Sequence, residues 1–359
     1  MSGIKAYGVA IPKRRIDATA IWDVWKNVSK DILEKMGMKE RTVTGPDEDP
    51  ISLGVDAAKR CLKQAGVNPE TLDGLIFCSE TNPYQTKSAA SVIQDILGLR
   101  HDVFATDVQA SARSGFDGIR IAKSLIDGGS AEQVLVIASD CLNQYMAPGH
   151  VYEYAAAAGA AALLISKEGC IAEIDGMTFA SEDKANWFRL SGDRYMQLGA
   201  GFVGYISNWG LMDSLKQSWK AYADKYGVTP ASFEHYALPQ GTVVQAFMSS
   251  GAIGCDPYAA LPYVVSEQTG DMGSAQVLIS MCSILDLIDD ASVKVGVVGY
   301  GWGDGSCVMG LTTTDHIGSV PNRPVVMPLL EQKEMIDYGM ALKYEKKIDR
   351  AQKGFSSYY

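Results

Sequence analysis

The sequence has only four histidines, no C-x-x-C pair among its seven cysteines, no excess of positive charge and no run of 18 apolar residues. Each shortage excludes something. Cys61, Cys78, Cys141, Cys170, Cys255, Cys282 and Cys307 form no short-range pattern with histidine, which argues against a zinc site and against a disulfide framework. A reducing, cytoplasmic compartment is therefore expected. Thirty-two Lys plus Arg stand against 42 Asp plus Glu, a net charge of −10, and phosphate backbones repel such a chain, so no nucleic acid partner is expected. Residues 1–10 lack the apolar stretch and cleavage site of a signal peptide, and no membrane association is expected. What is present is 359 residues, 47% hydrophobic and 21% charged, enough to bury one large core or two of medium size. The 36 glycines, about 10% against an average of roughly 7%, imply many sharp turns and close backbone approaches.

The chain repeats itself. An amphipathic segment at 51–62 leads through Gly66 and Asp73 into the apolar run 74–78, and a helical stretch at 215–226 leads through Gly227 and Glu234 into 235–239. The offset is 161 residues, and the strand patterns at 133–138 and 294–299 share it. Between them each half places a strand and then a glycine-started helix: 103–108 before 115–126, and 263–266 before 273–287. The pattern implies an α/β fold of two similar halves, with mixed sheets whose central strands are apolar runs. Independent α/β punctuation converging on one spacing is the alternative. Ala89, Val92, Ile93, Ile96 and Leu97 form one helical stripe ended by Gly98. Four segments are expected: a half at 1–165, an insertion at 166–211 that shapes a pocket or interface, a half at 212–330, and an arm at 331–359. Strands are expected at 155–165 and 171–180, then a loop carrying Trp187, Arg189, Arg194 and Trp209. The arm, with Tyr338, Tyr344, Phe355, Tyr358 and Tyr359, reads as a surface helix or a docking arm.

Five motifs follow this plan in order: Ser79-Glu80-Thr81-Asn82-Pro83-Tyr84; the Ala-Ala-Ala-Ala-Gly-Ala-Ala run at 155–161; Gly270-Asp271-Met272-Gly273-Ser274-Ala275; Tyr300-Gly301-Trp302-Gly303-Asp304-Gly305-Ser306; and residues 336–344 of the arm. Together they resemble the thiolase superfamily, in its hydroxymethylglutaryl-CoA synthase and ketoacyl synthase III-like branch. The resemblance spans nearly the whole chain and implies a five-layer α-β-α-β-α fold. It also implies three chemical groups: a Cys thiolate at a helix N-terminus that is acylated by acetyl-CoA, a Glu that moves a proton, and a His that orients the second thioester. Glu80 matches the acid/base, its alternative being a cap or surface carboxylate. Ala112 stands where the nucleophile belongs, and a methyl group cannot carry an acyl chain. Pro239 stands where the His belongs and supplies neither donor nor base. The expected Asn falls near Gln268. Gly301, Gly303 and Gly305, with Ser306, suit a tight turn at the pocket better than a phosphate cradle, since no G-x-x-x-x-G-K-[ST] is present.

No other residue takes over the lost chemistry. Ser111 and Ser114 flank the position without an adjacent His or a G-x-S-x-G elbow. Cys141 is the best-placed remaining thiol, or else a small hydrophobe at a strand end; Cys78 reads as core. His101, His150, His235 and His316 read as solvated or capping, with His150 inside the insertion. Two losses in one site argue for a naturally silent centre rather than an engineered trap. The sequence is most similar to the cysteine-free, synthase-like subunit of multisubunit C-acyltransferases that acetylate phloroglucinols, with weaker matches at Val24-Trp25-Lys26-Asn27 and Pro46-Asp47-Glu48-Asp49. That resemblance implies partners: a thiolase-like catalytic subunit and a small OB-fold (DUF35-type) scaffold protein, in a homodimer or heterodimer. It implies no cofactor, with acetyl-CoA or another acyl-CoA as substrate of the complex. Two alternatives remain: non-covalent aldol or Claisen-type chemistry at Glu80 on a CoA thioester, and a hydroxymethylglutaryl-CoA synthase with a mutated nucleophile.

Overall fold

A computed structural model describes residues 2–109, 111–184, 186–198 and 210–348. Nine strands build its main sheet: β1 Gly3–Ala10, β2 Gly74–Ser79, β3 Phe104–Gln109, β4 Gln133–Cys141, β5 Ala158–Ser166, β6 Ala172–Ala180, β7 His235–Ala237, β8 Lys294–Gly301 and β9 Gly305–Thr313. Six helices pack on it: α1 Pro50–Ala65, α2 Ala89–Leu97, α3 Ser114–Asp127, α4 Leu211–Tyr226, α5 Val243–Ile253 and α6 Gln276–Leu287.

Local chemistry sets the repeat. Asp49 and Ser52 cap α1 reciprocally, side chain to backbone N–H, with Pro50 at the first helical position. Helix α1 stops at Gly66 with φ 63°, and α4 stops at Gly227 with φ 67°. A left-handed residue at this place satisfies helix carbonyls, and glycine adopts it without steric penalty. A proline-started turn follows each, Pro69–Thr71 and Pro230–Ser232, and then β2 or β7.

The strand order is β7-β8-β9-β6-β1-β5-β4-β2-β3. Both halves run the same way from their first strand outward, β1-β5-β4-β2 in one and β6-β9-β8-β7 in the other. At the β1–β6 seam two residue pairs link them, Gly3 with Glu173 and Ile4 with Ala172. Pairing is parallel within β3-β2-β4 and between β7 and β8, and antiparallel elsewhere in this sheet. One apolar cluster holds Phe116 and Ile119 of α3, Leu278 and Met281 of α6, and residues of both half-sheets. The outer face of the first half is covered by Ala57, Ala58 and Ile93 of α1 and α2, that of the second by Leu215, Trp219 and Ile253 of α4 and α5. The layers are therefore α-β-α-β-α, with α3 and α6 in the middle.

Several local expectations change. Residues 263–266 form no strand; Leu261–Tyr263 is a 3-10 turn and Ser266–Thr269 a short helix. Pro262 has no N–H to give a ladder, and Gln240 Oε1 takes the N–H groups of Val265 and Ser266 at 2.8 and 3.3 Å. Ile96 is 51% exposed, so the buried stripe of α2 is Ala89, Ala90, Ile93 and Leu97. The alanine run enters its strand at Ala158, while Ala156 bridges Asp271. Strand β6, inside the segment expected as an insertion, pairs along β9. In the arm, Glu334–Met335 pairs with Arg14–Arg15, and a helix Tyr338–Tyr344 starts at an Asp337 cap. Trp209, Phe355, Tyr358 and Tyr359 lie outside the described residues. Among the described residues no helix is long and apolar enough to cross a membrane.

Candidate functional site

The fold brings Ala112 and Pro239 to one place. Ala112 lies just before α3, where the unpaired N–H groups of a helix start concentrate positive potential. Pro239 follows β7 of the other half. Both line a cavity of about 20 Å³ with Gln240, Asp271, Gly273 and Trp302, room for about one water.

Asp271 supplies the carboxylate of this cavity, beside the polar Gln240, Gln245, Gln276 and Tyr300, and sequence reasoning missed it as a site residue although it stands in one of the five motifs. Its backbone is tied to the alanine run, Asp271 N–H to Ala155 O at 2.6 Å and Ala157 N–H to Asp271 O at 2.9 Å. Its carboxylate accepts from Tyr152 Oη at 2.6 Å and from Gly273 N–H at 3.0 Å. Burial nevertheless pushes its pKa up to about 6. Gln268 does not line the cavity; its carbonyl accepts from Arg15 Nε at 3.1 Å.

Glu80 directly follows β2, against Gly273 of this cavity. Its Oε2 accepts from Trp187 Nε1 at 3.3 Å, while Oε1 is buried without a hydrogen-bond partner. Burial, reinforced by Asp140 and Asp271, holds its pKa well above the carboxylate range. Gly273 fits between Glu80 Oε1 and Asp140 Oδ2, each within 3 Å of where a Cβ would stand. Asp140 does a different job. Its Oδ1 accepts from Ser79 Oγ, Glu80 N–H, Thr81 N–H and Thr81 Oγ1, and its Oδ2 from Ser274 N–H and Oγ, all at 2.6–2.9 Å. It clamps the end of β2 to the 273–275 turn. Trp187, Trp302 and Tyr152 pack over the site, with ring centroids 4.8 Å apart for the two tryptophans and 5.1 Å for Tyr152 and Trp187.

The glycine-rich turn acts through Trp302. Arg113 Nη1 donates to Asp304 O at 2.8 Å and Ser111 Oγ to Asp304 Oδ2 at 2.5 Å, which pins the turn to the start of α3. Gly303 has φ 124°, and a Cβ there would run into the Lys184 carbonyl. Gly301, Gly303, Gly305 and Ser306 do not themselves line the cavity. Ser306 Oγ donates to Ser214 O at 2.7 Å, fastening β9 to α4.

Among the described residues no alternative nucleophile emerges. The Ser111 hydroxyl is engaged by Asp304, and the Ser114 hydroxyl is buried without a partner. All seven cysteines are buried, and burial, joined by Asp140, pushes the Cys78 and Cys141 thiols well up. His150 Nδ1 accepts from Tyr152 N–H at 3.0 Å, and His235 Nδ1 pairs with Tyr263 Oη at 2.8 Å; burial lowers both pKa values. His101 and His316 are exposed. None of the four lines the cavity. Among the described residues no group of three His, Cys, Asp or Glu side chains is placed to hold a metal ion.

The fold and site can now be set beside known proteins. Residues 106–182 match the family model of 3-oxoacyl-[acyl-carrier-protein] synthase III. The hydroxymethylglutaryl-CoA synthase of Archaeoglobus fulgidus is 30% identical, over 97% of this chain and 99% of its own length. That of Methanocaldococcus jannaschii is 29% identical, over 97% and 99%. Among solved structures, a hydroxymethylglutaryl-CoA synthase complexed with CoA superimposes with a TM-score of 0.85 at 17% identity, covering 98% of this chain and 91% of its own. The curacin-pathway HMG synthase with its acetyl donor acyl carrier protein gives 0.84 at 21% identity, over 99% and 93%.

Proposed function

The chain belongs to the hydroxymethylglutaryl-CoA synthase family, and from that premise we propose that it is a synthase-like subunit of a C-acetyltransferase complex whose own acyl-transfer centre is silent. One observation carries this reading: the cavity at the start of α3 holds the methyl of Ala112 and the ring of Pro239, where acyl transfer by a thiolate needs a thiol and a proton-handling ring nitrogen. The seven buried, unactivated cysteines add to it. A thiolase-like partner then supplies the nucleophile, and an OB-fold scaffold protein joins the two. The complex takes acetyl-CoA or another acyl-CoA as substrate and works in the cytoplasm. Protein association has a precedent on this fold, since the curacin-pathway synthase is solved with an acyl carrier protein. The segment 166–211 is assigned to pocket and interface shaping; its Trp187 reaches Glu80.

A second reading has one observation in its favour. Glu80 keeps a raised pKa and an unpartnered buried oxygen, the state of a carboxyl group ready to move a proton in non-covalent aldol or Claisen-type chemistry. The chain purified alone and with a thiolase-like partner separates the possibilities. Acyltransferase activity is expected only in the mixture, and full activity from the single chain overturns the proposal.

A further inference from the structure

Helix α5 is patterned inside out. Its buried positions include Gln245, Ser249 and Ser250. These polar groups are hydrogen-bonded within the chain: Gln245 Oε1 accepts from Thr242 N–H at 3.2 Å, Ser249 Oγ donates to Pro239 O at 3.4 Å, and Ser250 Oγ donates to Phe247 O at 2.7 Å. The outward positions Val244, Phe247, Met248 and Gly251 fall at i, i+3, i+4 and i+7, the spacing of a stripe that a helix normally turns to a core. Phe247 is nevertheless 57% exposed, and Tyr258, in the turn beyond the helix, is 81% exposed. From 235 to 266 the chain has one Asp, Glu, Lys or Arg, Asp256, although such residues make up 21% of the whole.

The repeat supplies a control. Helix α2 follows β2 as α5 follows β7, and it buries Ala89, Ala90, Ile93 and Leu97 while Ser91 and Asp95 face outward beside Ile96. An apolar outer face is therefore not required by this position in the fold. Gly251 is an independent sign. Its φ is not left-handed, and a Cβ there would meet nothing within 4 Å. Glycine weakens a helix interior relative to alanine, and nothing in this chain calls for it at 251. Close approach by another molecule accounts for it.

Uncharged surface with aromatic residues and methionine has the composition of an interface core. Gln245 lines the candidate site and Ser249 ties the helix to Pro239, so what docks on α5 bears on the wall of that site. Two copies of this chain, each with a net charge of −10, repel one another, and this face has no cation to offset that. The charge balance favours a different protein over a second copy. We propose, resting on the reading of this chain as a subunit of a C-acetyltransferase complex, that the outer face of α5 docks the small OB-fold scaffold protein. That protein presents an uncharged apolar face, which closes over Phe247 and fills the space above Gly251.

The test is isothermal titration of the full chain with the OB-fold protein and, separately, with the thiolase-like subunit, using wild type, Phe247→Glu and Gly251→Leu. Both variants should weaken scaffold binding at least about tenfold. Gly251→Leu should melt no lower than wild type, because leucine is the better helix former and its side chain enters open space, so its loss of binding is not a loss of fold. Scaffold binding by Gly251→Leu at wild-type strength overturns the docking surface and leaves the complex standing. Binding through α5 of the thiolase-like subunit instead of the scaffold overturns it too, as does self-association of the wild type in sedimentation equilibrium that Phe247→Glu abolishes. Failure of the wild type to bind either protein removes the complex, and the docking surface with it.

Discussion

Glu345 offers the sharpest test of how the arm is held. Its carboxylate meets Arg41 Nη1 at 2.5 Å and Nη2 at 3.3 Å, Lys347 Nζ at 2.8 Å and Asn143 Nδ2 at 3.2 Å, and the Arg41, Glu345 and Lys347 side chains are fully buried. Glu153 completes the cluster, pairing with Lys347 at 3.2 Å and accepting from Tyr338 Oη at 3.0 Å. Two cations thus balance two carboxylates. Burial pushes the Glu345 pKa up, but Arg41 and Lys347 outweigh it and hold it below the usual range. Its contribution to stability is therefore present above the unfolded carboxylate pKa and is lost as pH falls through the lower folded value. A Glu345→Gln substitution leaves one buried positive charge without a counter-ion, which costs about 3–5 kcal/mol. At roughly 2 °C per kcal/mol for a large domain, melting should fall by at least about 6 °C. Undocking of the Tyr338–Tyr344 helix limits that loss, and limited proteolysis at the arm should then accelerate. Removing the Lys347 charge as well should recover part of the stability. A single variant within about 1 kcal/mol of wild type, or a double variant less stable than the single, refutes the reasoning.

Three further outcomes are expected. Because Asp271 has a folded pKa of about 6, the stability tied to its neutral form is complete below the unfolded value and disappears as pH rises through 6. Asp271→Asn should therefore gain on wild type between about pH 4 and 6 and plateau near 3 kcal/mol above that; denaturant titrations showing a pH-independent difference contradict it. Ala112→Cys alone should restore no turnover, since the Pro239 nitrogen is a backbone amide that neither gives nor takes a proton and the Asp271 carboxylate opposes a nearby thiolate; steady-state acetyl transfer by this variant alone refutes that. Glu80→Gln should leave the activity of the assembled complex within about twofold, whereas its abolition selects the non-covalent reading.

What the sequence showed and what it hid have physical reasons. Gly66 and Gly227 were legible because a helix end needing positive φ selects glycine, and that signal repeats at the same offset in both halves. Ala112 and Pro239 could be placed by motif, and the fold seats them in one cavity although 127 positions separate them. Gln268 was read as the site amide because an amide matches an amide; Asp271 went unread because a pair of backbone bonds to the alanine run brings it to the cavity, and no local pattern carries those. Residues 263–266 misled because the short apolar run Tyr263-Val264-Val265 reads as a strand until Gln240 claims the N–H groups of Val265 and Ser266. The arm's clasp was invisible for a similar reason: Arg41 and Glu345 are 304 positions apart.

The central claim, a silent acyl-transfer centre, is tested most directly by intact-mass spectrometry of this chain after incubation with acetyl-CoA, alone and with a thiolase-like partner. The account predicts an unmodified mass for this chain in both samples and an acetyl adduct on the partner. A stable acetyl adduct on this chain would contradict it.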